Sequence, residues 1–284
     1  MKMIHMPCPE HPEATLEGYI LDCNIPLGQD TARPAVVVCP GGGYVYCSDA
    51  EAEPVALQYT ASGFHAFILR YSVGWKAAGF LPLQQLDWVI GLLRENAQQW
   101  NIDPEKIVVC GFSAGGHLAL ASGVMAKNRP NAMILGYPVA FAPSWPGMDF
   151  MLKLLSGKET VTMADEVDFN LLEKIDDQSP PVFMMATAED ALTPYGALAI
   201  AKKYNDLKKG YELHIFQYGP HGYSLATGTS AMGSSQKMDE SFAHWHALSV
   251  NWIFKTFGKP VFEDVNTSRM GKILKDMGIH MKGF

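Results

Sequence analysis

The chain has little cysteine, no excess of basic charge and no apolar run of membrane-spanning length. Its five cysteines are Cys8, Cys23, Cys39, Cys47 and Cys110. No two of them have C-x-x-C spacing, which gives no support to a zinc knuckle. Their odd number, all within the first 110 residues, reads as reduced thiols in a cytoplasmic protein. Lys and Arg number 22 against 29 Asp and Glu, a net charge of -7 at pH 7. Phosphate backbones are held by basic surfaces, so no nucleic-acid partner is expected. A membrane span needs about 20 consecutive apolar residues, so no membrane partner is expected either. The first ten residues carry one lysine and are interrupted by Pro7 and Pro9, unlike the continuous apolar core of a secretory leader. Internal repeats and low-complexity tracts are lacking too. The 15 methionines read as adaptable core filling rather than metal ligands.

What is present is a foldable chain of 284 residues, 48% hydrophobic and 18% charged, of a size that suits one large domain. Short β-branched or apolar runs alternate with longer amphipathic ones. Strands are expected at 35–39 (AVVVC), 64–70 (FHAFILR), 106–110 (KIVVC), 132–136 (AMILG), 182–187 (VFMMAT) and 213–218 (LHIFQY). Helices are expected at 51–62, 83–100, 114–126, 193–208 and 238–256. Strands that are apolar throughout, separated by helices, predict an α/β fold with a mostly parallel central sheet covered on both faces. Residues 141–178 break the rhythm with several prolines and glycines, and read as a small cap-like excursion from a single domain spanning 1–284. The tail 258–284 has no strong pattern, apart from a candidate helix at 268–277.

The strongest chemical signal is Gly111-Phe112-Ser113-Ala114-Gly115, a G-x-S-x-G pentapeptide. It follows a buried-strand pattern and opens a helix rich in small residues, the context of a nucleophile elbow. The sharp turn presents the serine hydroxyl over the end of the sheet, and the helix N-terminus favours developing negative charge. The second signal, Pro40-Gly41-Gly42-Gly43-Tyr44, follows the strand at 35–39. Its unobstructed N–H groups at Gly42 and Gly43, with that of Ala114, would form an oxyanion hole. A phosphate loop is the rival, but no Gly-Lys-Ser/Thr follows and neither cluster has the dinucleotide-binding spacing.

A serine nucleophile needs a base, and the base needs an orienting acid. In an elbow-bearing fold they follow in the order serine, acid, histidine. After the strand at 182–187 come Glu189 and Asp190, and after the strand at 213–218 comes Pro220-His221-Gly222. Of nine histidines, His221 is the one in a glycine-flanked loop after a strand. His65 and His214 lie within strands, His117 within the elbow helix, His244 and His246 on a late helix, and the rest near the termini. Asp190 is preferred to Glu189 because it sits deeper in the loop and its shorter side chain loses less rotamer freedom when fixed. No metal or organic cofactor is called for.

These residues carry a resemblance. PGGGY at 40–44, Ser48 with Glu51-Ala52-Glu53-Pro54, LRYSV at 69–73, GFSAGGH at 111–117, Asp190 with Pro194, and HGY at 221–223 are similar to the α/β-hydrolase superfamily. Within it, the chain resembles acetyl-esterase and acetyl-xylan-esterase-like serine esterases over about 35–258. Pro40 stands where many such esterases have histidine, and Ala50 where an arginine is common. The resemblance implies a carboxylester hydrolase acting on a small-molecule ester with a short acyl chain, including acetylated sugars or xylo-oligosaccharides. It leaves self-association into a homo-oligomer open. Tyr44 and Trp145 are candidates for narrowing the pocket, or are ordinary core or surface aromatics. Two other readings stand beside it. A prolyl-oligopeptidase-like serine peptidase shares the triad order, but fewer than 35 residues precede the expected first core strand. A non-catalytic binding protein on the same scaffold would more often have lost one of Ser113, Asp190 and His221.

Overall fold

The computed structural model describes residues 1–22, 32–140, 149–191, 194–258, 273, 274 and 276–279. Its centre is an eight-stranded sheet of order β1-β2-β4-β3-β5-β6-β7-β8. The strands are β1 (Lys2–Cys8), β2 (His11–Ile20), β3 (Arg33–Cys39), β4 (His65–Arg70), β5 (Ile102–Phe112), β6 (Ala132–Gly136), β7 (Val182–Thr187) and β8 (Tyr211–Phe216). From β4 across to β8 all pairing is parallel, whereas β1 with β2 and β2 with β4 are antiparallel. The helices are α1 (Glu53–Ala61), α2 (Leu81–Glu95), α3 (Ala97–Trp100), α4 (Ala114–Val124), α5 (Asp149–Ser156), α6 (Met163–Asp168), α7 (Pro194–Asp206), α8 (Glu240–Ala243) and α9 (Trp245–Phe257).

The central strands are apolar because they are covered on both faces. Residues 35–39 of β3 are buried, as are all of β6 and β7. Their continuous burial is what a parallel sheet between helical layers requires. Every residue of α4 is buried too, and its small side chains let it lie close against the sheet.

Several expectations needed correction. The N-terminal hairpin β1–β2 was not foreseen. β1 is an exposed edge, where the missing N–H of Pro7 is tolerated, and β2 alternates exposed or half-buried residues with buried ones along part of its length. The register slips between Pro7 and Cys8, where the hairpin turns. The helix expected at 83–100 is two, divided at Asn96, and that at 238–256 is divided at His244. Of the excursion at 141–178, residues 149–178 hold α5, α6 and a 3-10 turn at Leu171–Lys174, with α5 against the turn Gly74–Phe80. The remainder, including Trp145, lies outside the described residues, as does most of the candidate tail helix.

Candidate active site

Four segments meet beyond the C-terminal ends of the parallel strands: the glycine loop after β3, the elbow after β5, and the loops after β7 and β8. Ser113 caps α4 with φ 52° and ψ -116°, a conformation of the kind that costs about 1–3 kcal/mol and is held by its surroundings. The surroundings are tight. A Cβ on Gly111 would lie 2.0 Å from the Gly115 carbonyl oxygen, and one on Gly115 would lie 2.0 Å from that of Cys39. Both flanking positions of the pentapeptide therefore need glycine to bring the elbow helix against β3. The Ser113 N–H donates to the Gly136 carbonyl at 2.9 Å, and Val139 N–H donates to the Ser113 carbonyl at 3.2 Å.

Three side chains far apart in sequence form one line of hydrogen bonds. His221 Nδ1 lies 2.7 Å from Asp190 Oδ2, and His221 Nε2 lies 2.8 Å from Ser113 Oγ. A carboxylate accepts, so Nδ1 carries the proton and Nε2 faces the serine hydroxyl as acceptor. The Asp190 side chain is 1% exposed and that of His221 20%. The imidazole also meets the Tyr137 ring edge-on, with centroids 5.0 Å apart.

The neighbouring acids separate cleanly. Glu189 is exposed and its Oε2 accepts the Gly219 N–H at 3.0 Å, while Thr187 Oγ1 donates to the Gly219 carbonyl at 2.6 Å. Glu189 thus braces the entry to the histidine loop but does not reach the imidazole, which Asp190 holds.

In the glycine loop, Gly42 has φ 120°, and a Cβ there would lie 2.1 Å from the Tyr46 carbonyl oxygen. Its own carbonyl accepts from Val45 and Tyr46 N–H, closing a tight turn. Among the described residues no backbone or side-chain acceptor is found for the N–H groups of Gly42, Gly43 and Ala114.

Tyr44 closes the glycine run at 41–43. It has φ 59°, and its ring is fully buried beside Tyr71, Phe80 and His117. Its hydroxyl lies 2.9 Å from His117 Nδ1, and burial pulls His117 down to about 3. Glu51 and Tyr137 are the site residues that sequence reasoning did not single out. Glu51 stands at the start of the helix expected at 51–62, and Tyr137 directly follows the strand expected at 132–136. Among the described residues no group of three His, Cys, Asp or Glu could hold a metal ion, and no helix is long and apolar enough to cross a membrane.

The chain as a whole is similar to known proteins. The model of the prolyl oligopeptidase family matches residues 84–259, and that of BD-FAE matches residues 21–137. The fold is similar to MGS-M1, an alpha/beta hydrolase enzyme from a Medee basin deep-sea metagenome library. Identity is 33%, over 90% of this chain and 98% of that one, with a TM-score of 0.77. An acetyl ester-xyloside bifunctional hydrolase from Caldicellulosiruptor lactoaceticus is 28% identical over 90% of this chain and 96% of that one, with a TM-score of 0.75. An acetylxylan esterase from Xylanibacter ruminicola is 27% identical over 71% of this chain and 43% of that protein. The chain spans less than half the length of the curated relatives it matches. It belongs to the α/β hydrolases, in the prolyl oligopeptidase family and among relatives that are carboxylesterases and acetyl esterases.

Proposed function

We propose that the protein is a carboxylic ester hydrolase that works through an acyl-enzyme on Ser113. The observation that carries this reading is the unbroken Asp190–His221–Ser113 line, at 2.7 and 2.8 Å, ending on a serine in a strained elbow. His221 takes the hydroxyl proton as Ser113 Oγ attacks the ester carbonyl. Asp190 fixes the tautomer and stabilises the imidazolium that forms. The N–H groups of Gly42, Gly43 and Ala114 receive the oxyanion. His221 then returns its proton to the departing alcohol, which leaves Ser113 acylated. Water attacks the acyl group with the same histidine as base, releasing the acid and the free serine.

The substrates we assign are short acyl esters, in particular acetylated sugars or xylo-oligosaccharides. Support comes from the acetylxylan esterase and the acetyl ester-xyloside hydrolase among the relatives. A panel of p-nitrophenyl acetate, butyrate and octanoate beside acetylated xylo-oligosaccharides tests this assignment. The expected order of kcat/KM is acetate above butyrate above octanoate, and faster octanoate hydrolysis refutes it. A serine-directed phosphonate probe tests the chemistry itself. Labelling at Ser113 is expected, and its absence from folded protein points to a non-catalytic binder.

A further inference from the structure

Glu51 is a carboxylate at the site that the mechanism above leaves unused. It ends the 3-10 turn Asp49–Glu51 and is 4% exposed. Each of its oxygens has a donor. Oε2 accepts the Gly41 N–H at 2.8 Å, and Oε1 accepts the Tyr137 hydroxyl at 2.5 Å. Burial pushes the Glu51 carboxyl up, and these two donors together with His221 oppose that shift. Buried ionisable groups are costly, and apolar residues of similar volume are often as stabilising. What distinguishes a carboxylate here is what it holds.

What it holds is the approach of the glycine loop to the elbow. A Cβ on Gly41 would lie 2.7 Å from Glu51 Oε2, 2.8 Å from the Phe112 carbonyl oxygen and 3.0 Å from Ser113 Cβ. Gly41 is therefore clamped between Glu51 and the elbow, and its N–H is occupied. The next two N–H groups, of Gly42 and Gly43, lie beyond this clamp. On the other side, the Tyr137 hydroxyl accepts the Ser224 N–H at 2.9 Å, and Ser224 Oγ donates to the Ala50 carbonyl at 2.6 Å. The glycine loop, the segment after β6 and the histidine loop all converge on Glu51.

We propose that Glu51 is a positioning residue for ester hydrolysis, setting the Gly42 and Gly43 N–H groups against the oxyanion through Gly41 and tying them to the histidine loop through Tyr137. This rests on the reading of the site as an ester hydrolase. The role needs an acceptor facing Gly41 rather than a charge. In Glu51→Gln the amide oxygen still accepts from Gly41, and the amide nitrogen donates to the Tyr137 oxygen. In Glu51→Leu both partners are stranded. Loss of one oxyanion donor costs about 10²–10³ in turnover.

The test combines p-nitrophenyl acetate kinetics with amide hydrogen exchange of residues 41–46, which does not depend on hydrolysis. For Glu51→Leu the expected result is a kcat about 10²-fold lower or more with KM within about threefold, and exchange at least about tenfold faster as the loop opens. Glu51→Gln should stay within about tenfold in kcat, with exchange near wild type. Should Glu51→Leu not fold, Tyr137→Phe carries the test, with a lower kcat at unchanged KM and faster loop exchange. Wild-type kcat and exchange in Glu51→Leu or in Tyr137→Phe overturn the proposal, as does a loss confined to KM. A loop that opens in Glu51→Leu of a protein whose wild type hydrolyses no ester supports the clamp and refutes the ester reading.

Discussion

The two ends of the sheet are built by different rules and serve different ends. From β3 to β8, parallel strands deliver each connection at the same edge, so residues 108 and 31 positions apart, Ser113 with His221 and His221 with Asp190, arrive at one point. The antiparallel β1–β2 hairpin provides none of these residues. It closes the β4 side with Leu16 in the core, and with Arg70 of β4 paired to Glu17 at 2.9 Å. The contrast teaches that chemistry in this fold follows strand direction, while the hairpin contributes cover. Substitutions in the parallel half should therefore be read in rates, and those in the hairpin in stability.

Ser113→Ala should have the largest effect. Loss of the nucleophile in a triad costs on the order of 10⁶ in turnover, about 8 kcal/mol at 1.36 kcal/mol per tenfold. The melting temperature should barely move, because alanine accepts the same backbone as serine. Near-normal kcat in the folded variant would sink the mechanism. Asp190→Asn follows, with an expected loss of about 10⁴ in kcat. The asparagine amide can present an N–H to Nδ1, so the imidazole turns its proton towards Ser113 and loses its function as base. A loss below tenfold would remove Asp190 from the assigned role.

Leu16→Ala probes the other end. Leu16 is fully buried, and truncating a buried leucine costs about 2–5 kcal/mol. Denaturant unfolding should show that loss, while kcat stays within about twofold of wild type. A tenfold fall in kcat would break the division between the two ends.

His65 joins them. Its Nδ1 accepts the Leu21 N–H just past the hairpin, and its Nε2 donates to the Asn101 carbonyl, both at 3.1 Å. Burial lowers it from 6.5 to about 4. The folded state keeps it neutral, so between those values the unfolded chain binds more protons. The stabilisation is full above about pH 6.5 and is lost as pH falls towards 4, to a total of at most about 3 kcal/mol. His65→Gln keeps an acceptor and a donor without titrating. Its unfolding free energy should fall less steeply than that of wild type between pH 6.5 and 4, and equal slopes would refute the assignment.

How much of this was legible in the sequence depends on the range of the forces involved. β6 and β7 stand at 132–136 and 182–187, where their apolar runs placed them, because full burial leaves a continuous hydrophobic signature. Ser113, Asp190 and His221 were singled out by their order after strands, and the His221 side chain lies within hydrogen-bond distance of the other two. The hairpin was missed because β1 is an exposed edge and β2 is only partly buried, so neither leaves a continuous apolar run. Tyr44 was open to both readings because its burial comes from Tyr71, Phe80 and His117, which lie far from it in sequence. Glu51 was quoted within a motif but given no role, since its burial depends on Tyr137, 86 residues away, and no local pattern reports that.

The smallest effect should come from Glu189→Gln, which sharpens the comparison within one loop. Glu189 and Asp190 are adjacent, yet one is exposed and the other 1% exposed. The exposed carboxylate does more than lend a screened charge, because it holds the Gly219 N–H at 3.0 Å two residues before His221. Glutamine retains an acceptor oxygen for that N–H, and Thr187 still grips the Gly219 carbonyl at 2.6 Å. The charge itself acts through solvent, where screening is strong. The expected change in kcat is therefore less than about tenfold, or under about 1.4 kcal/mol, against about 10⁴ for Asp190→Asn. Glu189→Ala, which removes the acceptor, should cost more than Glu189→Gln but stay well short of Asp190→Asn. Parallel kcat measurements on the three variants check the ranking. If Glu189→Gln loses more than Asp190→Asn, the orienting acid is Glu189, and the loop after β7 adopts another register when the enzyme turns over.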